Sequence, residues 1–287
     1  MEKLQASQAD IENPTTKQGF TLIELSIVLV IIGLIIGGVL VGQDLIKAAE
    51  VRATIGQIEK YNTAINTFRT KYNGIPGDLS ATNAASFGFA ARDGSAGRGD
   101  NNGLIDSTIT GQTWGQEAAL LWNDMSVANL VDGGNYTGAT NVDSLAPLAV
   151  ITSAVPTTFP PARLGRGNYV TAGSTLGINY WLLAGISSAA ITTGVYTVTT
   201  NITPTEAYNM DIKVDDGLPL TGVVQAHGAA GSSSATIFVD PPSAGTTSAS
   251  GECVVGDAGG TTTTDTYNRA LTAGGNTQAC IVRFRFN

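Results

Sequence analysis

The chain has 287 residues, of which 15 are Lys or Arg and 23 are Asp or Glu, so its formal net charge is −8. Proteins that bind nucleic acid through its phosphates need clustered Lys and Arg, so no nucleic acid is expected as a partner of this acidic chain. The hydrophobic fraction of 43% argues against disorder, whereas 35 Gly and long Thr, Ser and Ala tracts predict many turns and short strands.

The most apolar segment lies near the N-terminus. No charged residue occurs from Leu25 to Val41, and Phe20 to Ile23 extend this run toward the N-terminus. About 20 apolar residues cross a bilayer as a helix, so the run predicts a membrane segment over about residues 20–42. An ordinary secretory signal is disfavoured, because no small-x-small cleavage site follows and the helical pattern continues. A buried core helix is disfavoured because almost no polar residue interrupts the run.

Glu24 is the only charged residue inside this extended run. An ionised carboxylate at that depth in a membrane is costly unless it has a partner. Two interpretations are open. Either Glu24 lies at the membrane interface and reaches water, or another molecule delivers a positive group to it.

The residues around Glu24 carry a resemblance to a known family. Lys17-Gln-Gly-Phe-Thr-Leu-Ile-Glu-Leu25, followed at once by the hydrophobic stretch, resembles the type IV prepilin signature of a basic residue and Gly before Phe-Thr-Leu-Ile-Glu. The resemblance implies a leader peptide at residues 1–19, cleavage between Gly19 and Phe20 by a membrane prepilin peptidase, and N-methylation of the new Phe20 amine. It also implies that Glu24 meets the N-terminal amine of a neighbouring subunit in a helical filament.

The same resemblance implies the partners and the location of the chain. The expected partners are further copies or other pilins in a homo- or hetero-polymer, the prepilin peptidase and an inner-membrane assembly platform. Before assembly the chain is expected in the inner membrane as a single-pass protein. After assembly it is expected in a periplasmic or extracellular filament.

The rest of the chain predicts one long helix and a globular head. Apolar residues recur mostly every three or four positions up to Phe68, so one continuous helix is predicted over residues 20–73. Residues 74–287 are predicted to form the head, with a short amphipathic helix at 114–131 and strands toward the C-terminus. The resemblance implies an α+β, type IV pilin-like fold, in which the helix packs on a domain with an antiparallel β-sheet.

The clearest predicted strand is Cys280–Asn287. Its period-two alternation places Val282, Phe284 and Phe286 on one face and Arg283 and Arg285 on the other. If the head has a basic patch, these two arginines are its expected place. Further strands are predicted over residues 194–199 and 235–239, where β-branched runs alternate with turn residues.

Cys253 and Cys280 are the only cysteines of the chain. In an exported domain, two cysteines most simply form one disulfide. A reactive or metal-binding pair is the alternative, which the absence of CxxC spacing and of a nearby His disfavours.

Two acidic segments are candidates for a calcium site, and no other cofactor is expected. The first contains Asp211, Asp215 and Asp216, because related major pseudopilins hold calcium in a loop of the globular domain. The second is the loop Asp100–Asp106, which places oxygen ligands around a Gly turn, although Arg98 stands where an EF-hand begins with Asp. Solvated turn carboxylates are the favoured interpretation of both segments.

An enzyme is not expected. The sequence contains no GxSxG, HExxH or GxxxxGK[ST] motif, and its single histidine, His227, lies in a stretch that predicts a loop. Two functions remain open. One is a structural subunit of a type IV pilus or of a type II secretion pseudopilus, and the other is a minor or tip subunit whose head binds a surface, DNA or a secretion substrate.

Overall fold

The computed structural model of the chain describes residues 19–92, 94, 99–106, 117–132, 134, 136, 155–190, 195–228, 253–255, 266–270 and 278–286. The predicted leader, residues 1–19, therefore lies outside the described residues except for Gly19. The chain forms two compact units, one ending at Ile46 and one beginning at Lys47. The predicted α+β class is confirmed, because a long N-terminal helix precedes an antiparallel sheet.

The described part of the chain contains helices and strands in the following order. The helices are α1 (Leu22–Tyr72), α2 (Ala81–Phe87), α3 (Glu117–Val127), α4 (Val155–Thr158) and α5 (Pro204–Val214). The strands are β1 (Asn168–Thr175), β2 (Ile178–Ala190), β3 (Val195–Thr199), β4 (Val224–Gly228), β5 (Val254–Val255), β6 (Thr266–Tyr267) and β7 (Cys280–Phe286).

Helix α1 belongs to both units and is buried only in the second. Its buried residues recur every three or four positions, as expected for one face of a helix. They are Val51, Thr54, Ile58, Tyr61, Ala64, Ile65, Phe68 and Tyr72. The helix ends where Asn73 adopts a φ of 54°, the left-handed conformation that commonly follows a helix.

The main sheet of the second unit is antiparallel throughout. Its strand order is β1-β2-β7-β4. Strand β7 pairs with the N-terminal part of β2, and β3 pairs with the C-terminal part of the same strand. Strands β5 and β6 form a separate two-stranded sheet. The order brings the last strand of the chain to the middle of the main sheet.

Aromatic side chains from α1, α3, β2 and β7 meet in the core. The ring of Trp122 lies 4.8 Å from that of Tyr61 and 5.4 Å from that of Trp181, measured between centroids. Trp181 also stacks on Phe286 at 4.5 Å, and its indole N–H donates to Asn62 Oδ1 at 2.7 Å. These contacts fix the second part of α1 against the sheet.

Strand β7 differs from the sequence prediction on its polar face. Val282, Phe284 and Phe286 are buried as expected, but Arg283 is also fully buried and only Arg285 is exposed. The Arg283 guanidinium lies 4.5 Å from the centre of the Tyr180 ring, and its Nε donates to Gln225 Oε1 at 2.7 Å. The prediction of a two-arginine surface patch is therefore wrong for Arg283, because β7 lies between two strands whose side chains cover it.

Other predicted elements shift or fall outside the described residues. His227 is part of β4 and pairs with Ile281, so the loop prediction is wrong, because a partner distant in sequence completes the strand. The helix predicted at 114–131 is described as Glu117–Val127, and Asn129 follows it with a φ of 57°. Residues 114–116, 194 and 235–239 lie outside the described residues.

The predicted disulfide between Cys253 and Cys280 is present, and both cysteines are fully buried. Their Cα atoms are 4.9 Å apart. Cys253 directly precedes β5 and Cys280 begins β7, so the bond ties the small sheet to the main sheet.

A buried ion pair holds the segment after α1 against α3. The guanidinium of Arg92 donates to both carboxylate oxygens of Asp124, at 2.8 and 3.1 Å, and neither side chain is exposed. Gly77 joins this pair, because its N–H donates to Asp124 Oδ2 at 2.7 Å and its carbonyl accepts from Arg92 Nη1 at 3.2 Å. Gly77 has a φ of 90°, and a Cβ there would collide with the carbonyl of Glu117.

We expect Asp124→Ala to lower the free energy of unfolding of the head by about 3–5 kcal/mol, because it leaves the Arg92 guanidinium buried without its carboxylate. Replacing both residues, Arg92→Met with Asp124→Leu, should cost less, since it leaves no buried charge. Denaturant unfolding of the full chain in detergent, followed by tryptophan fluorescence, measures both effects. Exposed Arg163→Ala is the control, and an equal loss for Asp124→Ala and Arg163→Ala would contradict the interpretation.

Candidate functional site

The first candidate site is the start of α1. Gly19 and Phe20, the residues predicted to flank the cleavage site, are exposed and precede the helix. The Thr21 N–H and the Thr21 hydroxyl each donate to Glu24 Oε2 at 2.8 Å. The Glu24 N–H lies 3.3 Å from Thr21 Oγ1. This reciprocal pattern is a capping box, which satisfies backbone N–H groups that the first turn of a helix leaves without partners.

The capping box gives Glu24 a defined position before any second molecule arrives. Both donors converge on Oε2, so the carboxylate is held beside the first turn of α1. The first turn carries the positive end of the helix dipole, which favours a negative charge there. The role of Thr21 was not predicted from the sequence, although the Thr-x-x-Glu spacing is a recognisable signal of this cap.

The part of α1 that follows Glu24 carries no charged residue up to Val41 and exposes apolar side chains around the helix. All 18 large apolar side chains from Phe20 to Ile46 are at least 46% exposed. The most apolar 18-residue window of α1 has a mean hydropathy of 2.9 and no buried residue. By length and composition, α1 is therefore able to cross a membrane, and among the described residues it is the one helix of which this is true. So large an exposed apolar surface marks contact with lipid or with another protein.

A second candidate site is a cluster of carboxylates in the head. Asp78, Asp100 and Glu117 each place one oxygen within 4.8 Å of the others. Asp78 is buried and accepts hydrogen bonds from the N–H groups of Asn102, at 3.3 Å, and Gly103, at 2.7 Å. The sequence pointed to Asp100 but gave no sign of Asp78 or Glu117, which are distant along the chain. Arg98 lies outside the described residues.

The Glu117 carboxylate binds both ends of the loop formed by residues 99–106. Its Oε1 accepts the Gly99 N–H and its Oε2 accepts the Asp106 N–H, both at 2.7 Å. Burial raises the pKa of Glu117 to about 8, although these two N–H groups oppose the rise. Burial also raises the pKa of Asp78 to about 7, against the N–H groups that it accepts. Burial in the cluster therefore keeps both carboxyls protonated to a higher pH than carboxyls exposed to water.

These two shifts predict the pH dependence of the stability of the head. A carboxyl whose pKa is higher in the folded state contributes stability at low pH, and that contribution is lost as the pH rises through the folded pKa. For Glu117, the window runs from its ordinary value of 4.5 to about 8. We therefore expect the melting temperature of the full chain to fall as the pH rises from about 5 to 8.5.

Scanning calorimetry at a series of pH values measures this dependence. Glu117→Gln should lower the melting temperature at acidic pH, because it loses one backbone acceptor, and should also reduce the slope with pH. Asp132→Asn, at an exposed position, is the matched control and should keep the slope of the natural chain. A slope that is unchanged in Glu117→Gln would refute the assignment to Glu117.

A third candidate site contains Asp211, Asp215 and Asp216, whose oxygens also lie within 4.8 Å of one another. Asp211 Oδ1 accepts the Gly217 N–H at 3.1 Å, and its Oδ2 accepts the Tyr267 hydroxyl at 2.7 Å. Burial raises the pKa of Asp211 to about 6, and the Tyr267 hydrogen bond opposes this rise. The carboxylate thus ties the end of α5 to β6.

The other two carboxylates organise the connection from α5 to β4. Asp216 accepts the Leu218 N–H and the Thr221 hydroxyl, both at 2.8 Å. Asp215 Oδ2 accepts the N–H groups of Val223 and Val224. Three convergent carboxylates suit a hard cation such as calcium. The hydrogen bonds within the chain, however, already give each of them a structural role.

Calcium binding at Asp211, Asp215 and Asp216 remains a prediction. A cation held by all three would raise the melting temperature of the full chain in calcium and release heat on titration. Asp216→Asn should abolish both effects, because it removes a charge and keeps an acceptor for the Leu218 N–H. If calorimetry detects no heat and no change in melting temperature, calcium binding is refuted here and at the loop Asp100–Asp106.

Comparison with known proteins identifies a sequence motif at the N-terminal end of the chain. Residues 15–40 match the family model of the prokaryotic N-terminal methylation motif. The match contains Gly19, Phe20, Thr21 and Glu24 and extends into the apolar part of α1. No curated protein and no solved structure gives a significant match to the chain.

Proposed function

We propose that this chain, which carries the methylation motif that is the signature of type IV prepilin-like proteins, is a structural subunit of a type IV pilus or a type II secretion pseudopilus. The motif implies a prepilin peptidase substrate that assembles into pilus-like polymers. It also suggests, together with the apolar helix, that the chain is anchored in a membrane before assembly. The observation that carries the proposal is the joint occurrence of this motif and an unburied apolar helix directly after it.

The start of α1 supports processing between Gly19 and Phe20. Both residues are exposed and lie before the first turn of the helix, so the peptide bond between them is accessible to a peptidase. Cleavage there makes the amine of Phe20 the new N-terminus. N-methylation of Phe20 keeps that amine positively charged near neutral pH, as a partner for a carboxylate.

Glu24 supports assembly through a charge pair. In a membrane or in the apolar interior of a filament, an unpaired carboxylate is unfavourable, and the Thr21 cap supplies hydrogen bonds but no opposite charge. The Phe20 amine of a second copy supplies that charge. The surrounding apolar side chains leave water and lipid when α1 packs against its neighbours.

We expect Glu24→Ala to be processed like the natural chain but to reduce filament yield about tenfold or more, because the neighbouring amine would be buried without a carboxylate. The length of the chain on a gel reports processing, and immunoblotting of the sheared surface or periplasmic fraction reports assembly. Asp44→Ala, at an exposed acidic position on the same helix, is the control and should assemble normally.

Two results separate the parts of this proposal. Filaments at the natural yield from Glu24→Ala would contradict the charge-pair account. Gly19→Leu should leave the leader attached, and normal processing of that variant would contradict cleavage at this position. The copy number of the chain along isolated filaments distinguishes a structural subunit from a minor or tip subunit.

A further inference from the structure

The second unit contains a positively charged cleft between α1 and the end of β7. Its volume is about 480 Å³, and the apolar side chains of Ile65, Val223 and Phe286 contribute to its lining. Arg69 of α1 and Arg285 of β7 line the same cleft. Arg69 is half-buried and Arg285 is exposed, so both are available to a molecule that enters from solvent.

Among the described residues, Arg69 and Arg285 are unpaired arginines that share one cleft, whereas Arg163, which also has no side-chain hydrogen bond or ion pair there, lies outside it. Within the part of the chain that the structure describes, neither guanidinium of the cleft has a hydrogen bond, an ion pair or an aromatic ring contact. By contrast, Arg92 and Arg166 bind carboxylates, and Arg269 lies over an aromatic ring. A guanidinium presents several N–H donors in a planar fork that matches a carboxylate.

The cleft concentrates positive charge on an acidic chain. From Lys60 to Lys71 the helix carries three basic residues and no acidic one. The helix dipole favours cations near the C-terminus of a helix. The presence of Arg69 and Lys71 near the end of α1 therefore does not require a binding partner. The dipole of α1 does not account for Arg285, which comes from a strand. Two segments distant in sequence thus bring guanidinium groups to one concave surface.

Most carboxylates of the described residues are already engaged within their own copy. Those with no hydrogen-bond or ion-pair partner in the described part of the chain are Asp44, Glu50, Glu59 and Asp132. Three of these four lie on α1. The described part of the chain therefore offers unpaired carboxylates on α1 and a pair of unpaired guanidinium groups in the cleft.

We propose that the cleft binds a carboxylate of α1 from a second copy of this chain, at Glu59 or Glu50. This inference rests on the proposed function, because it names a contact between neighbours in the polymer. The contact is heterologous, since the cleft of one copy meets the helix of the next. Heterologous contacts that do not close into a ring generate open helical filaments.

Charge reversal tests the contact. We expect Arg69→Glu with Arg285→Glu to be processed and folded normally but to lower filament yield at least about tenfold, because like charges then face each other. Restoring opposite charges with Glu50→Lys and Glu59→Lys in the same chain should recover part of that yield. Arg163→Glu, an exposed arginine of the head outside the cleft, is the control and should assemble like the natural chain.

Cross-linking tests the same contact without reversing a charge, and so remains informative if the charge variants fold poorly. The two natural cysteines are buried in a disulfide, so introduced cysteines supply the reactive thiols. Filaments that contain Arg285→Cys copies together with Glu59→Cys or Glu50→Cys copies should yield disulfide-linked dimers on oxidation. Arg163→Cys paired with the same partners should yield none.

The outcomes separate the inference from the proposed function. If the natural chain forms no filament in its own host, the proposed function fails. If natural filaments form but the Arg69→Glu and Arg285→Glu chain assembles at full yield and the cysteine pairs give no dimers, the cleft contact alone is refuted. Cross-links to another protein in place of a second copy would also refute it.

Discussion

The apolar surface of α1 between Phe20 and Ile46 is the constraint on which the rest of the molecule depends. Its 18 large apolar side chains are all substantially exposed within the single chain. Full burial of one such side chain contributes roughly 1.5–3 kcal/mol, so moving this segment out of water contributes on the order of tens of kcal/mol. A free monomer with this segment exposed to water forgoes that energy. The surface is therefore consistent with the membrane anchoring that the N-terminal methylation motif suggests.

The head uses its acidic residues as structural acceptors. Glu117 closes the loop 99–106, Asp124 binds Gly77 and Arg92, and Asp211 ties α5 to Tyr267. A carboxylate oxygen accepts more than one hydrogen bond, so one side chain satisfies several backbone N–H groups that a loop leaves without partners. Much of the acidic excess of the chain therefore serves its loops, and calcium is not required to explain these clusters.

The sequence predicted the features that local patterns encode. The apolar run and its helical continuation indicated α1, the alternation at the C-terminus indicated β7, and the two cysteines indicated one disulfide. Features that depend on distant residues escaped it. Burial of Arg283 depends on Tyr180 and Gln225, and the strand at His227 depends on its pairing with Ile281. Asp78 and Glu117 are neighbours in the structure but lie far apart in the sequence, so no local pattern indicates their contact. Thr21 is the exception, since its cap is local.

An apolar helix by itself does not define how copies of the chain are arranged. Hydrophobic attraction is non-directional, so two such helices keep most of their contact area when one slides along the other. Charges inside apolar surroundings have the opposite property, because a small displacement leaves both of them without partners. Glu24 is the one charged residue between Phe20 and Val41, and the cleft of Arg69 and Arg285 lies in the second unit. If both contacts form between copies, the helix supplies the affinity and the two charged contacts set the register.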